Sequence, residues 1–531
     1  MQSKVQGADK VTAYISAPGC RKTWQRDVTL NQHHETLTPN RPTWREIGGL
    51  AAGLAALFAL QLVLSQSLSL FQAHFWLDEL FTFAIVSDPE LPHAMQALTD
   101  GVDTNPPTLH LLLRLFYGIV GGEAETAFRC FALLSMFLAL VGIYLILREV
   151  FAPWPALAGV LAVWCHPLIQ RHAFEARFYG PWLAALVWYT YVLARALRSP
   201  RPLGWLAAVA ATSVLVCTIH YFGVITLVLV TLFELWANRP WGKRTLGCLA
   251  ATSLGPLVLA ACAPFFLGQR AALTVGTWIT PPDLAGALVG FAPVLVVFCL
   301  YYLRGILAKH LPAGRDPSSV LGLVSLTLLP PALILFTVLV QPATMTRYIL
   351  PTLAVLGPVV AFFSLFLPRA GQVGLCLALV AGGAWNLHDL AELKRDNDLQ
   401  TSELIAAIRE LPKGTPVVFE FTNSLYVVER YAPDLSSRCY FLDFERGQLP
   451  EASNHRIVTR DVARQYAKYR GQPGLMPWTQ FKTLPRRYLV PGEELSEPAG
   501  DPEQRFPGFT LQPRQAGLYE LIPVAQATKG S

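Results

Sequence analysis

The sequence is poor in charge. Only 15% of its 531 residues are Asp, Glu, Lys or Arg, against about 25% in soluble domains. Hydrophobic residues make up 53% and the mean hydropathy is +0.39, so most of the chain belongs in lipid. The net charge of +6 does not signal nucleic acid, because the basic residues fall between apolar runs, where the positive-inside rule uses them for orientation. Cysteines with metal-type spacing are missing. Of nine in all, Cys130, Cys165, Cys217, Cys248, Cys262, Cys299 and Cys376 lie in or beside apolar runs and suit small buried hydrophobes. Cys439 is alone in the C-terminal region, which excludes a disulfide within it. The first 45 residues lack the short apolar core and small-residue cleavage site of a signal peptide. The C-terminal region has no glycine-rich nucleotide loop and no nucleophile elbow, and no internal repeat stands out.

What is present is a series of apolar runs near the ~20 residues that a spanning helix needs. The first, 47–71, follows a basic tail (Arg21, Lys22, Arg26, Arg41 and Arg45) expected to stay in the cytoplasm. His33 and His34 read as part of that polar tail. Further spans are expected at about 127–147, 155–169, 181–197, 203–219, 222–237, 246–267, 284–303, 320–340, 349–367 and 373–387, about eleven in all. Thr108–Val120 has 13 residues and covers roughly 20 Å, short of a ~30 Å hydrocarbon core. It reads as a helix at the outer interface that does not cross.

Charge supports this alternation. The inner connections then carry Arg148; Arg198 and Arg201; Arg239, Lys243 and Arg244; Arg304, Lys309 and Arg315; and Arg369, with few acids among them. The outer connections are different in kind. They are 72–126, 171–180 (RHAFEARFYG), the His220–Tyr221 turn, 269–283 and 341–348 (QPATMTRY). The expected fold class is mostly α, polytopic, with a small C-terminal α/β domain outside the membrane. Its divisions are a tail 1–45, a membrane domain 46–388 and an outer domain 389–531, with a helical pattern at 402–411 and a strand at 416–421.

Asp78 and Glu79, flanked by Phe75 and Trp76, follow directly on the first span. Ionisable groups at a membrane boundary are costly to desolvate and are functional candidates by default; the rival reading is a solvated loop. An outward acid, arginines near the bilayer surface and many spans suit transfer of a sugar from a polyprenyl phosphate to a hydroxyl. That chemistry needs a base, positive charge for the phosphate and a membrane groove for the tail.

The order of motifs resembles the GT-C integral-membrane glycosyltransferases, particularly bacterial relatives of dolichyl-phosphate-mannose protein mannosyltransferases and lipid A aminoarabinose transferases. The matching pieces are Asp78-Glu79; Asn105-Pro106-Pro107 before a short helix; Gly122, Glu123 and Arg129; Glu175-Ala176-Arg177-Phe178-Tyr179; and Arg347-Tyr348. Asn105 stands where that family often has histidine. The resemblance implies Asp78 as general base in an inverting displacement, with Glu79 orienting the loop or binding sugar. It implies Arg177 and Arg347 on the donor phosphate, and Tyr179, Tyr348 and His220 as further hydrogen-bonding groups. Asp103 would cap the next helix, bind sugar hydroxyls, or join Asp78 and Glu175 around a hard divalent cation. Glu175-Ala176-Arg177 is less acidic than the motif of the metal-using branch, so no cofactor is expected and that metal set is the weaker alternative.

The rival readings are structural. Arg177 and Arg347 would snorkel to headgroups, Tyr179 and Tyr348 would join the aromatic belt, and His220 would be a satisfied structural histidine. The expected partners are a polyprenyl-phosphate sugar, an envelope lipid, glycan or protein acceptor, and the bilayer, with no nucleic acid. The expected location is the bacterial inner membrane, with Asp78 and the C-terminal domain facing the periplasm or exterior. A transporter or an envelope-assembly scaffold are the alternatives from other classes.

Overall fold

A computed structural model describes residues 44–272, 318–340, 345–445, 454–471, 474–491, 506 and 508–524. The expected span 284–303 and the outer connection 273–283 lie outside these residues. The chain divides into two units, 1–47 and 48–531; almost all described residues belong to the second.

Helix α1 (Trp44–Leu64) opens the bundle. Short helices α2 (Leu77–Val86), α3 (Leu91–Thr99) and α4 (Thr108–Val120) fill the first outer connection. The bundle continues with α5 (Ala124–Arg148), α6 (Pro153–Trp164), α7 (Pro167–Ala173), α8 (Tyr179–Arg198), α9 (Leu203–Ile219), α10 (Gly223–Ala237), α11 (Lys243–Ala261) and α12 (Ala263–Ala272). After the undescribed stretch come α13 (Ser318–Val324), α14 (Leu329–Leu339), α15 (Leu356–Ser364) and α16 (Arg369–Glu410). Among the described residues, 6 helical segments are long and apolar enough to cross a membrane, and Pro153–Trp164, Leu203–Ile219 and Gly223–Ala237 are apolar but shorter.

Helix α4 has the bounds expected of it, and Leu111, Leu115, Ile119 and Val120 form an exposed apolar stripe opposite buried Leu109 and Leu113. A one-sided stripe of this kind suits a helix lying in an interface.

Two expectations need correction. The expected span 155–169 is broken at Cys165 and His166, because Pro167 starts a new helix and holds the preceding residue extended. The expected span 373–387 and the helical pattern at 402–411, read as separate pieces, are parts of one helix: α16 runs unbroken for 42 residues, roughly 63 Å. Residues 388–401 contain neither Gly nor Pro, so nothing stops the helix as its composition turns from apolar to charged.

Polar ties and close approaches lock the bundle. Gln61 of α1, fully buried, accepts from Trp164 Nε1 at 2.7 Å and donates to the Val380 carbonyl at 2.8 Å. Gly180 begins α8 so near α5 that an added Cβ would lie 2.6 Å from the Ala132 carbonyl oxygen. Only glycine allows that approach, and it sets the segment just before α8 against α5.

Helix α16 delivers the chain to a six-stranded sheet of order β3-β2-β1-β4-β6-β5. Its strands are β1 (Val417–Phe419), β2 (Cys439–Asp443), β3 (Leu475–Pro477), β4 (Tyr488–Val490), β5 (Phe509–Pro513) and β6 (Tyr519–Pro523). The first four are parallel, and the last two form an antiparallel edge. Helices α17 (Thr422–Tyr431) and α18 (Asn454–Arg470) supply crossovers between parallel strands. Side chains alternate along β1. Val417 and Phe419 join a core shared with α2, α3 and the start of α5, while Val418 joins a core on the other face with Trp478 and Phe506. The sheet domain therefore rests directly on the first outer connection.

Candidate active site

Asp78 and Glu79 lie in the first turn of α2, where carboxylates complement the helix dipole. Their environments differ sharply. Glu79 is fully buried, accepts from the Trp76 N–H at 3.1 Å and the Ala176 N–H at 2.8 Å, and pairs with Arg129 at 3.3 Å. Arg129, itself buried, donates to the carbonyls of Phe71, Ala73, His74 and Phe174. Of the two roles expected of Glu79, loop organisation fits this geometry and sugar contact does not.

Asp78 is partly open, with 19% of its side chain exposed. Its Oδ2 stands 3.1 Å from Arg347 Nη1 and 3.9 Å from Arg177 Nη2. The Arg347 guanidinium lies over the rings of Trp76 (5.8 Å) and Tyr348 (5.6 Å).

Arg177 sits deeper. Its Nη1 donates to Asp103 (2.6 Å), to Thr82 Oγ1 (2.7 Å) and to the Asp78 carbonyl (2.9 Å), and its Nη2 reaches the other Asp103 oxygen at 3.3 Å. Asp103 also meets His110 Nε2 at 3.1 Å and accepts from Asn105 at 2.7 Å. Burial opposes ionisation of Asp103, yet the Arg177 guanidinium and His110 prevail and hold its carboxyl well below the usual carboxylate range. Both Nη atoms of Arg177 are thus committed to protein groups as a brace between α2 and Asp103, which leaves only its Nε for the phosphate contact expected of it.

The other expected residues divide. Tyr179 is fully buried, with its ring 4.2 Å from that of His172. His220 stacks on Phe178 at 4.1 Å and lies 5.3 Å from Tyr348. Burial, reinforced by Arg177 and Arg347, pushes the His220 imidazole down to about 3, so it is neutral near pH 7. Glu175 faces His172 at 2.7 Å and Arg171 at 3.5 Å rather than Asp78 or Asp103. Among the described residues no group of three His, Cys, Asp or Glu side chains is placed to hold a metal ion. The suggested Asp78–Asp103–Glu175 set is therefore not assembled, because Glu175 is turned to His172 and Asp103 is saturated by Arg177, His110 and Asn105.

Several donors around Asp78 are buried and, among the described residues, without a partner: Trp76 Nε1, Arg177 Nε, Arg347 Nε and the Tyr179 hydroxyl. Buried donors are normally satisfied, so this concentration beside a partly open carboxylate marks a place for an oxygen-rich ligand. Residues from the outer connections meet here. Arg148, at the far end of α5 from Arg129, is one of the basic residues of the inner connections, and nearby Glu149 pairs with Arg198 at 3.1 Å. Sequence inspection singled out neither Thr82 nor His110 for the site. A histidine in the first turn of an otherwise apolar helix was the available signal for His110.

The structure is thus a helical bundle, with several helices long and apolar enough to cross a membrane, that gathers a carboxylate and guanidinium groups at one end and bears a mixed sheet domain. Residues 104–267 match the family model described as dolichyl-phosphate-mannose-protein mannosyltransferase. Among solved structures the chain resembles ArnT from Cupriavidus metallidurans in the apo state, with a TM-score of 0.53 and 14% identity over 90% of this chain and 99% of that one. It also resembles the same protein bound to undecaprenyl phosphate, with a TM-score of 0.50 and 13% identity over 88% and 98% of the two chains. No curated protein sequence matches significantly. The resemblance read from the motifs is borne out at the level of the fold, which is similar to that of ArnT, and by the match of residues 104–267 to the mannosyltransferase family model.

Proposed function

We propose that the protein transfers a sugar from a polyprenyl-phosphate donor to a hydroxyl of an envelope lipid, glycan or protein, on the outer face of a bacterial inner membrane. The observation that carries this reading is the partly open Asp78 carboxylate 3.1 Å from Arg347, ringed by buried donors. Undecaprenyl phosphate bound to the similarly folded ArnT supports the lipid carrier.

In this mechanism Asp78 takes the proton of the acceptor hydroxyl as its oxygen attacks the anomeric carbon. The bond from that carbon to the phosphate oxygen breaks, and polyprenyl phosphate leaves with the electron pair. Arg347 is the phosphate ligand, since its guanidinium is near the surface of the site and has Nε unpartnered among the described residues. Donor binding would draw Arg347 from Asp78 toward the phosphate, freeing the carboxylate for the acceptor. Arg177 braces Asp78 from behind through its backbone carbonyl. One displacement inverts the sugar, with no second nucleophile assigned. No metal is given a role.

The test is transfer by purified protein offered a panel of radiolabelled polyprenyl-phosphate sugars with envelope extract. Asp78→Asn should abolish labelling of the acceptor while expression and membrane insertion are kept. Full transfer by that variant would overturn the assignment of the base.

A further inference from the structure

The C-terminal domain touches the helix that carries Asp78 along its whole length. At the entrance to α2, the Phe75 N–H donates to the Tyr431 hydroxyl at 2.8 Å, and that hydroxyl donates to Glu125 at 3.0 Å. The Tyr431 ring stacks on His74 at 3.8 Å, and the His74 N–H donates to Asp398 of α16 at 3.1 Å. Near the middle of α2, the Phe81 ring lies 5.7 Å from Tyr426 and 5.9 Å from Tyr466. At its end, the Tyr469 hydroxyl reaches the Ala84 carbonyl at 3.0 Å and the Asp88 carboxylate at 2.6 Å.

Residues 81 and 84 lie on one side of α2 and Asp88 follows just beyond its end, whereas 78 and 82 share a neighbouring face. The second face meets Arg177 through Thr82 and the Asp78 carbonyl. Helix α2 is thus held between Arg177 on one side and the sheet domain on the other. Its rotation about its own axis, which aims Asp78, depends on both contacts.

We infer that the C-terminal domain is a positioning element of the active site, with Tyr431 and Tyr469 as positioning residues that hold the two ends of α2 and so aim the Asp78 carboxylate. This rests on the proposed role of Asp78. Neither tyrosine touches the reacting groups. A cavity of about 870 Å³ opens beside Tyr431, lined by His74, Phe83, Glu125 and Arg430, so water can reach the Phe75 N–H if the hydroxyl is removed. The loss should accordingly be partial for either single variant and larger for both.

The experiment compares Tyr431→Phe, Tyr469→Phe and the double variant with the parent chain, using radiolabelled polyprenyl-phosphate sugar with envelope extract. Each single variant should lower kcat about tenfold and the double variant about a hundredfold. The KM for the donor and the detergent melting temperature should stay at parent values. Unchanged kcat, a rise in donor KM, or a kcat loss that only follows a fall in melting temperature would each overturn the inference. Asp78→Asn runs in parallel: if it retains full transfer, the reading of the base fails; if it is inactive while the tyrosine variants match the parent, only the positioning role fails.

Discussion

Arg347 Nη1 lies 3.1 Å from the Asp78 carboxylate although 269 positions separate the two residues. Neither group is fully buried, and each offsets the other's charge in a place where lipid and protein leave little water. In the proposed reaction the donor phosphate competes with Asp78 for the guanidinium. This is why a single contact bears on both halves of the proposed reaction.

Arg347→Lys keeps the charge and loses the planar fork that suits phosphate oxygens. Turnover should fall about 10²-fold, near the low end of what removing one charge-stabilising donor costs, and Arg347→Ala should lose more. Steady-state transfer assays in detergent or nanodiscs give the measurement, and parent-level turnover in the lysine variant would count against phosphate recognition by Arg347.

Asp103→Asn leaves the buried Arg177 without its counter-charge. Breaking a buried pair from one side costs on the order of 3–5 kcal/mol, so melting temperature and transfer should drop together. Asp103→Asn combined with Arg177→Gln should recover part of the stability but none of the activity. A thermal-shift double-mutant cycle reads the coupling directly.

Glu79→Gln keeps one acceptor oxygen for the Trp76 or the Ala176 N–H, sets an amide NH2 against the other, and removes the ion pair with Arg129. A loss of about 2–4 kcal/mol is expected, because a buried cation is left uncompensated. Since Arg129 also gathers the carbonyls of Phe71, Ala73 and His74, protease cleavage between residues 71 and 79 should increase. Unchanged cleavage would show that this loop does not depend on the pair.

pH dependence should come from the sheet domain rather than from Asp103. With its folded pKa depressed, Asp103 contributes stability above the unfolded carboxylate value and loses it only on descent through its own much lower value. Glu429 behaves in the opposite sense. Burial beside Tyr426 and Tyr466, only partly countered by Arg470, pushes its carboxyl up to about 7. The folded state then binds the extra proton, so stability is full below the unfolded value near 4.5 and falls as pH rises toward 7. Glu429→Gln should flatten that fall, worth on the order of 1–3 kcal/mol, in melting curves recorded between those limits. An equal slope in both proteins would remove Glu429 as its source.

Much of this was legible in the residues themselves. Apolar length set out many of the helices and gave α4 its bounds, because a helix must satisfy its own backbone in lipid whatever its neighbours are. The Asp78-Glu79 pair announced itself by standing where a span ends. The apolar run at 416–421, short enough for a strand and bounded by turn residues, marked β1 for a similarly local reason.

Tertiary structure alone decided which of two similar arginines spends both Nη atoms on protein groups and which lies against the partly open Asp78, and that Glu79 is buried while Asp78 is not. It turned Glu175 to His172, brought His110 to Asp103, and carried α16 straight into the sheet domain so that Tyr431 reached Phe75. Such pairings depend on how closely whole helices approach, as Gly180 permits between α8 and α5. Residues as far apart as Phe75 and Tyr431 leave no periodic trace of one another in the chain. Local sequence sets the faces of each element; the fit between distant faces chooses the partners.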